Sequence, residues 1–205
     1  MLIRTHCRSA RQFATVSKTG ILTGSFLALM LPGFLLGQDK GQPEIDQSCR
    51  RFIETSYAGF AARASLHGPV PALEWVLGYE PRIFNSDLFL QLREDSEAQK
   101  KAGGDIVGLD FDPFLACQDC DGPYKVEKTE LRDCRCWAEV HSVDEKGESP
   151  APRVIPELML KDGKWVFVNF HYPNPERPEF ENLLSLLKSL REYRARRAEM
   201  ESKKR

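Results

Sequence analysis

The chain has 205 residues, of which 41% are hydrophobic and 29% are charged, a composition typical of one globular domain with appendages rather than of a disordered protein. Its formal net charge of −1 combines +4 in residues 1–37 with +5 in residues 188–205, which leaves −10 for residues 38–187. An acidic body repels phosphate groups, so we expect no binding of nucleic acid by the folded domain.

The start of the chain has the pattern of an export signal. Four basic residues precede residues 20–37, which contain no charged side chain, and polar residues follow from Gln38. Eighteen uncharged residues also approach the length of a membrane-spanning helix, so an uncleaved anchor that contacts the membrane is the alternative. Pro32 favours a cleaved signal. The sequence thus predicts a periplasmic or secreted protein with three parts: a signal peptide or signal anchor in 1–37, an α+β domain in 38–175, and a basic amphipathic helix in 176–205.

Two helices are predicted at the beginning of the domain. Apolar residues recur at every third or fourth position in residues 44–66, which indicates an amphipathic helix. A second helix, capped by Asn85 or Ser86, runs to about Ala102, and its apolar spacing fades in its second half, which predicts solvated last turns. Residues 69–83, between the two helices, are interpreted as an irregular apolar connection.

After residue 123 the apolar period changes to two, which predicts antiparallel strands. The first hairpin should turn near Arg132 and Asp133, and the second at Asp162-Gly163, because Asp-Gly accepts the positive φ angles of a two-residue turn. Pro156 predicts an edge or a bulge, and Trp165 predicts a central strand covered on both faces. Four strands are expected: 124–131, 134–143, 153–161 and 164–172.

A final helix is predicted from about Glu179, with a leucine stripe on one face and an end beyond Tyr193 that should fray. The order of the elements predicts the α+β class. We expect N-terminal helices packed across a four-stranded antiparallel meander, in a cone-like roll, followed by the C-terminal helix.

The six cysteines leave three alternatives open. In an oxidising compartment disulfides are the default, and removal of Cys7 with the signal would leave an odd number, hence a free thiol. Cys117 and Cys120 could instead join Cys134 and Cys136 as four zinc ligands, or Cys117 and Cys120 could form a redox-active C-x-x-C pair.

Antiparallel pairing separates the two cysteine motifs, because it sends Cys120 and Cys134 to opposite ends of the first hairpin. We therefore predict no metal site. A local bridge between Cys117 and Cys120 is expected, with Cys49 bridged across the core to Cys134 or Cys136.

Acidic residues and histidines are the remaining candidates for a site. A calcium loop that begins at Asp110 would lack the required Gly and Glu, so its aspartates are expected to cap turns. No serine or cysteine lies at a spacing diagnostic of a catalytic triad with histidine. No catalytic residue and no cofactor is therefore predicted. The candidates for ligand binding are Asp110, Asp112, Gln118, Asp119, His141 and His171.

The segment Asp110-Phe111-Asp112-Pro113-Phe114-Leu115, followed by Gln118-Asp119, resembles a motif of the bacterial exported domain-of-unknown-function family 3828. The resemblance covers roughly residues 45–172 and includes a closing strand with a tryptophan, here Trp165. It implies a cystatin-like or nuclear-transport-factor-like fold and implies no activity.

These observations favour an exported, non-catalytic binding or interaction module whose partner is a protein or a small molecule. A small pocket enzyme of hydrolase or isomerase type that uses Asp and His is the second hypothesis. A thiol redox or metal protein of the cell envelope is the third. A deep polar pocket with an Asp–His pair would favour the enzyme, whereas an apolar exposed surface would favour the binding module.

Overall fold

A computed structural model describes residues 42–66, 72–120, 122–144, 147–173 and 182–204. The chain divides into residues 1–40 and residues 41–205, and the predicted export segment lies outside the described residues. In the described part, no helix is both long enough and apolar enough to cross a membrane.

Within the described residues, four helices and five strands follow one another in the order of an α+β protein, which confirms the predicted class. The helices are α1 (Gln42–Ser65), α2 (Ala72–Tyr79), α3 (Ser86–Lys101) and α4 (Leu183–Ser202), with a short 3-10 helix at Pro81–Ile83. The strands are β1 (Tyr124–Arg132), β2 (Arg135–Asp144), β3 (Gly147–Glu148), β4 (Ile155–Lys161) and β5 (Lys164–His171).

The sheet is antiparallel in the order β1-β2-β4-β5, and the two-residue β3 pairs with β2. Strand β5 therefore lies at an end of this order, and the prediction that Trp165 belongs to a central strand is wrong. Burial of the β5 side chains suggested a central strand, but β5 is an edge strand whose two faces and whose free edge are all covered. On that edge Phe84 forms a bridge with Phe167, and the Asn85 amide donates to the Phe167 carbonyl at 2.9 Å.

The two hairpins test the turn predictions differently. Asp162 and Gly163 both have positive φ, so the second turn is confirmed. The first turn lies at Asp133 and Cys134, whose φ angles are +51° and +60°, one residue later than predicted. This turn places Arg132 opposite Arg135 and keeps the buried residues of β2 on the core face. Asp at the first turn position accepts positive φ more readily than most residues.

Strand β4 contains the irregularity that Pro156 predicted. The register between β4 and β5 shifts between Glu157 and Leu158. The β2–β4 pairing covers Glu157 to Met159 and stops before Pro156, so the missing amide of the proline breaks no bond of that pairing. Because of the shift, Phe167 pairs with Leu158 and Phe170 pairs with Pro156.

Helix α1 lies across the sheet, as predicted, and is tied to three strands. A disulfide joins Cys49 to Cys136 in β2, and the Trp165 indole of β5 donates to Ser48 Oγ at 3.0 Å. In β1, an end strand of the order, Arg50 donates to the carbonyls of Val126 and Glu127 at 2.5 and 3.0 Å. The core between helix and sheet is apolar and rich in aromatic rings.

The helices correct three expectations. Residues 69–83 contain α2, which sequence periodicity missed because ALEWVLGY is apolar on most faces. The second half of α3 is solvated on one side only, since Asp95 and Ser96 are buried while Glu97, Lys100 and Lys101 are exposed. Helix α4 does not fray after Tyr193, because its arginines pair with acids on α3 and on the connection that follows α3. Three pairs are formed: Arg191 with Glu94, Arg194 with Asp95, and Arg197 with Asp105.

Candidate functional site

A groove of about 670 Å³ opens beside the C-terminal end of β5. Three segments build it: the loop that follows α3 (residues 105–120, the 105–120 loop), the connection that precedes β4, and one face of α4. Ten of its fourteen lining residues are apolar or aromatic: Ile106, Leu109, Phe111, Ala116, Ala151, Pro152, Tyr172, Pro173, Leu186 and Leu190. The size and the apolar lining are those of small-molecule sites.

The first part of the 105–120 loop is held against α3 by two polar side chains. The amide oxygen of Gln99 accepts from the backbone amides of Val107 and Gly108 at 2.8 and 2.9 Å. The carboxylate of Asp95 accepts from the Leu109 amide at 2.8 Å, and its other oxygen pairs with Arg194. The groove wall is therefore fixed to α3 and α4 even though it has no regular secondary structure.

The second part of the loop is a tight turn organised by Asp112. One oxygen of its carboxyl group accepts from the amides of Phe114 and Leu115 at 2.8 and 3.0 Å, as expected for an aspartate that caps a turn. The Asp112 amide donates to the Cys117 carbonyl and the Ala116 amide donates to the Asp112 carbonyl, both at 2.8 Å, which closes the turn. Ala116 takes a φ of +54°. The turn places the apolar side chains of Phe114 and Leu115 in the core.

Asp112 is also the most unusual acid of this region. Its Oδ2 is buried and has no hydrogen-bond partner among the described residues. Burial raises the pKa of Asp112, although its hydrogen bonds to the Leu115 and Phe114 amides oppose the effect. Its protonated form is thus favoured by the surroundings more than that of an ordinary carboxyl group.

Three tyrosines surround this carboxyl group. Tyr172 donates to the Pro113 carbonyl at 2.9 Å, and Tyr124 donates to the Leu115 carbonyl at 3.3 Å. The Tyr57 hydroxyl is buried without a partner among the described residues. Burial raises the pKa of all three hydroxyls, that of Tyr124 to about 12. These phenols are therefore neutral, and those of Tyr172 and Tyr124 act as hydrogen-bond donors.

The charged groups of the groove are Asp110 and Arg153, and neither forms an ion pair with another described residue. The positive charge of Arg153 acts against burial on the pKa of Tyr124, so its guanidinium group lies close enough to influence that hydroxyl. Both charged side chains are exposed. The groove thus offers one cation and one anion on walls that are otherwise mainly apolar.

Of the six predicted ligand-binding residues, only Asp110 lines the groove. Asp112 lies in the adjoining turn, while Gln118 and Asp119 are exposed beyond it. The two histidines belong to separate environments. His141 is buried, with Nδ1 2.8 Å from the Ser149 carbonyl, and His171 lies 3.1 Å from Glu157 with its ring against Trp137.

The cysteines form the two disulfides that the sequence favoured. Cys117 is bonded to Cys120, and Cys49 to Cys136. No described cysteine is free. The expected free thiol concerns the chain after removal of Cys7, so it stays a prediction. The described residues contain no group of three or more His, Cys, Asp or Glu side chains arranged to hold a metal ion.

Sequence reasoning missed most of the groove. The sequence indicates Arg153 only as the start of a strand and Leu190 only as part of the leucine stripe of the last helix, and it does not single out Leu186. Tyr172 was assigned to strand β5 without a role. The available signal was the set of apolar residues around Asp110 in the 105–120 loop, since a polar surface loop has little reason to contain them.

Comparison with known proteins gives no relatives. No family model, no curated protein and no solved structure matches the chain. The resemblance to domain-of-unknown-function family 3828 therefore stays a prediction, and the function has to be argued from the groove itself.

Proposed function

We propose that the protein is an exported, non-catalytic binding module whose groove takes a small ligand with a large apolar part. The observation that carries this proposal is the groove of about 670 Å³, with ten apolar or aromatic residues among its fourteen lining residues. Removal of apolar ligand surface from water would supply most of the binding free energy. The groove lining includes Asp110 but neither His141 nor His171, so binding is favoured over Asp–His catalysis.

The rigidity of the walls supports the same proposal. Gln99 and Asp95 fix the backbone of the 105–120 loop, and the Tyr172 hydroxyl bonds to Pro113 in the same loop. A preformed groove loses less conformational entropy on binding than a mobile one. The loop is further closed by the disulfide between Cys117 and Cys120.

Export is the second part of the proposal, and two observations support it. The charge-free residues 20–37 after a basic leader have the layout of a secretory signal. The disulfides between Cys49 and Cys136 and between Cys117 and Cys120 are of a kind that persists mainly in oxidising compartments. N-terminal sequencing of the protein from the soluble envelope fraction should find a chain that begins near Gln38. Intact residues 1–37 in the membrane fraction would instead indicate an anchor.

The groove is tested with a neutral apolar fluorophore, N-phenyl-1-naphthylamine. We expect saturable binding with one site per chain. Ala151→Trp should weaken binding at least about tenfold, because the indole fills space that the ligand needs. Ser185→Trp is the matched control, since Ser185 is exposed on α4 and does not line the groove. Absence of saturable binding, or equal binding by the two variants, would refute a ligand site in the groove.

A further inference from the structure

We propose that the ligand of the groove is an amphiphile with a single carboxylate head, which contacts Arg153 while the apolar part lies along α4. This inference rests on the proposed function, because it names the class of ligand for the same groove. Its basis is an arginine at the wall of an apolar groove that forms no ion pair with another described residue.

Arg153 is held in place by its backbone and leaves its side chain available. The Arg153 amide donates to the Val140 carbonyl at 2.8 Å, and Val154 next to it bridges Val140 of β2. In the described part of the chain, the guanidinium group forms no ion pair. This contrasts with Arg191, Arg194 and Arg197 of α4, each of which pairs with an acid. A cation on a fixed backbone is suited to receive an anion from outside.

The chemistry of guanidinium favours a carboxylate as that anion. Its planar fork of N–H donors matches the two oxygens of a carboxylate, and such paired bonds are stronger than neutral hydrogen bonds. The Tyr124 hydroxyl near Arg153 stays protonated, so it does not neutralise the arginine.

Asp110, the other charged group of the groove, does not require a cation from the ligand. Its residue is exposed, so its carboxylate keeps its hydration when the groove is filled. An isolated exposed carboxylate costs nothing to leave in water, whereas a ligand ammonium group would gain little there. We therefore assign recognition of the charged ligand head to Arg153 alone, and substitution of Asp110 tests this assignment.

The apolar part of the ligand has a continuous path along α4. Leu186 and Leu190 line the groove four residues apart, and Tyr193 follows three residues later on the same helical face. Tyr193 is 44% exposed, and Ile106 at the groove wall is 67% exposed. The apolar surface thus extends from the groove toward solvent, which suits a chain longer than the groove.

The experiment compares ligands of one chain length and different heads by calorimetry on the exported protein. Decanoate, decanol and decyltrimethylammonium are titrated below their micellar concentrations into the unaltered protein and into Arg153→Gln, Asp110→Asn and Arg82→Gln. Arg82 is exposed on the 3-10 helix and outside the groove, so it controls for the loss of one positive charge. We expect decanoate to bind best, and Arg153→Gln to weaken it about 10- to 100-fold. Decanol should be unaffected, and Asp110→Asn should leave decanoate equal or tighter.

The outcomes separate this inference from the proposed function. Equal binding of decanoate and decanol, or equal loss with Arg153→Gln and Arg82→Gln, would overturn the carboxylate and keep an apolar site. A preference for decyltrimethylammonium that disappears with Asp110→Asn would overturn it in favour of a cationic ligand. If none of the three ligands binds and N-phenyl-1-naphthylamine also fails, the proposed function itself is wrong.

Discussion

The α1–sheet core and the 105–120 loop are held together in different ways, although they adjoin each other. In the core, a helix and a sheet bury aromatic rings such as Phe167, which is within 6.2 Å of four other phenylalanine rings. In the loop, side chains such as Asp95, Gln99 and Asp112 bind backbone amides that no strand or helix satisfies. In this protein, the core is therefore held by apolar packing, whereas the groove wall is held by polar side chains that bind its backbone.

Removal of each of the two disulfides should give the largest difference in stability between the α1–sheet core and the 105–120 loop. The bridge from Cys49 to Cys136 spans 87 residues, and the bridge from Cys117 to Cys120 spans 3. From loop-closure entropy, replacement of both cysteines by alanine should lower the free energy of unfolding by about 4.6 kcal/mol for the long bridge and about 1.9 kcal/mol for the short one. Urea unfolding of the two double variants measures this. Equal losses would mean that the short bridge does more than close its own loop.

Loss of the buried ion pair between Asp95 and Arg194 should lower the free energy of unfolding almost as much as a large-to-small substitution in the core. Asp95→Ala leaves Arg194 without its partner and the Leu109 amide without its acceptor, so we expect a loss of about 3–5 kcal/mol in the free energy of unfolding. Glu97→Ala is the matched control on the same helix, because its pair with Arg93 is exposed and should contribute about 1 kcal/mol or less. Similar losses in the two variants would contradict a structural role for the buried pair.

Substitution of alanine for two glycines, Gly108 and Gly59, should change the stability of the protein in opposite directions. In the loop, a Cβ at Gly108 would lie 2.8 Å from Asp95 Oδ2 and 3.1 Å from Gln99 Cβ, so Gly108→Ala should destabilise by about 1–3 kcal/mol. In α1, a Cβ at Gly59 would meet nothing within 4 Å, so Gly59→Ala should stabilise by about 0.5–1 kcal/mol through helix propensity. Thermal melting of both variants gives the signs directly. Destabilisation by Gly59→Ala would indicate an unrecognised contact of α1.

The smallest expected effect is a dependence on pH that originates at Asp112. Because burial raises its folded-state pKa above the unfolded value, the folded protein binds this proton more tightly. The associated stability is present below the unfolded pKa and is lost as pH rises through the folded pKa. Asp112→Asn removes this titration, so the variant should gain stability relative to the unaltered protein between pH 4 and pH 7. Urea unfolding at several pH values checks this, and a constant difference would contradict the raised pKa.

The sequence predicted α1, α3 and the strands because their apolar periods are local signals. It also predicted the bridge from Cys117 to Cys120, since three residues of separation leave little freedom. Helix α2 was not predicted, because a short segment that is apolar on most faces shows no helical periodicity. The edge position of β5 was not predicted, because full burial is compatible both with a central strand and with an edge strand that other residues cover.

The groove was largely out of reach of sequence reasoning for a different reason. Asp110, Arg153 and Leu190 come from segments far apart in the chain, and no local pattern indicates that they meet. Asp112 was correctly assigned to a turn, but its burial depends on tyrosines from α1 and from both ends of the sheet. The partners of the α4 arginines were missed for the same reason, since Glu94 and Asp105 lie 97 and 92 residues before the arginines that they bind.

The contact of Arg50 with the carbonyls of Val126 and Glu127 has a consequence for behaviour at high concentration. An open strand edge is a template to which another chain can add its own strand, the first step of many aggregates. At β1, which ends the strand order, the arginine occupies two backbone acceptors, and the register shift between Val126 and Thr129 bends the same strand. The opposite edge, β5, is covered at Phe167 by Phe84. Unwanted sheet extension is thereby discouraged at both ends of the sheet.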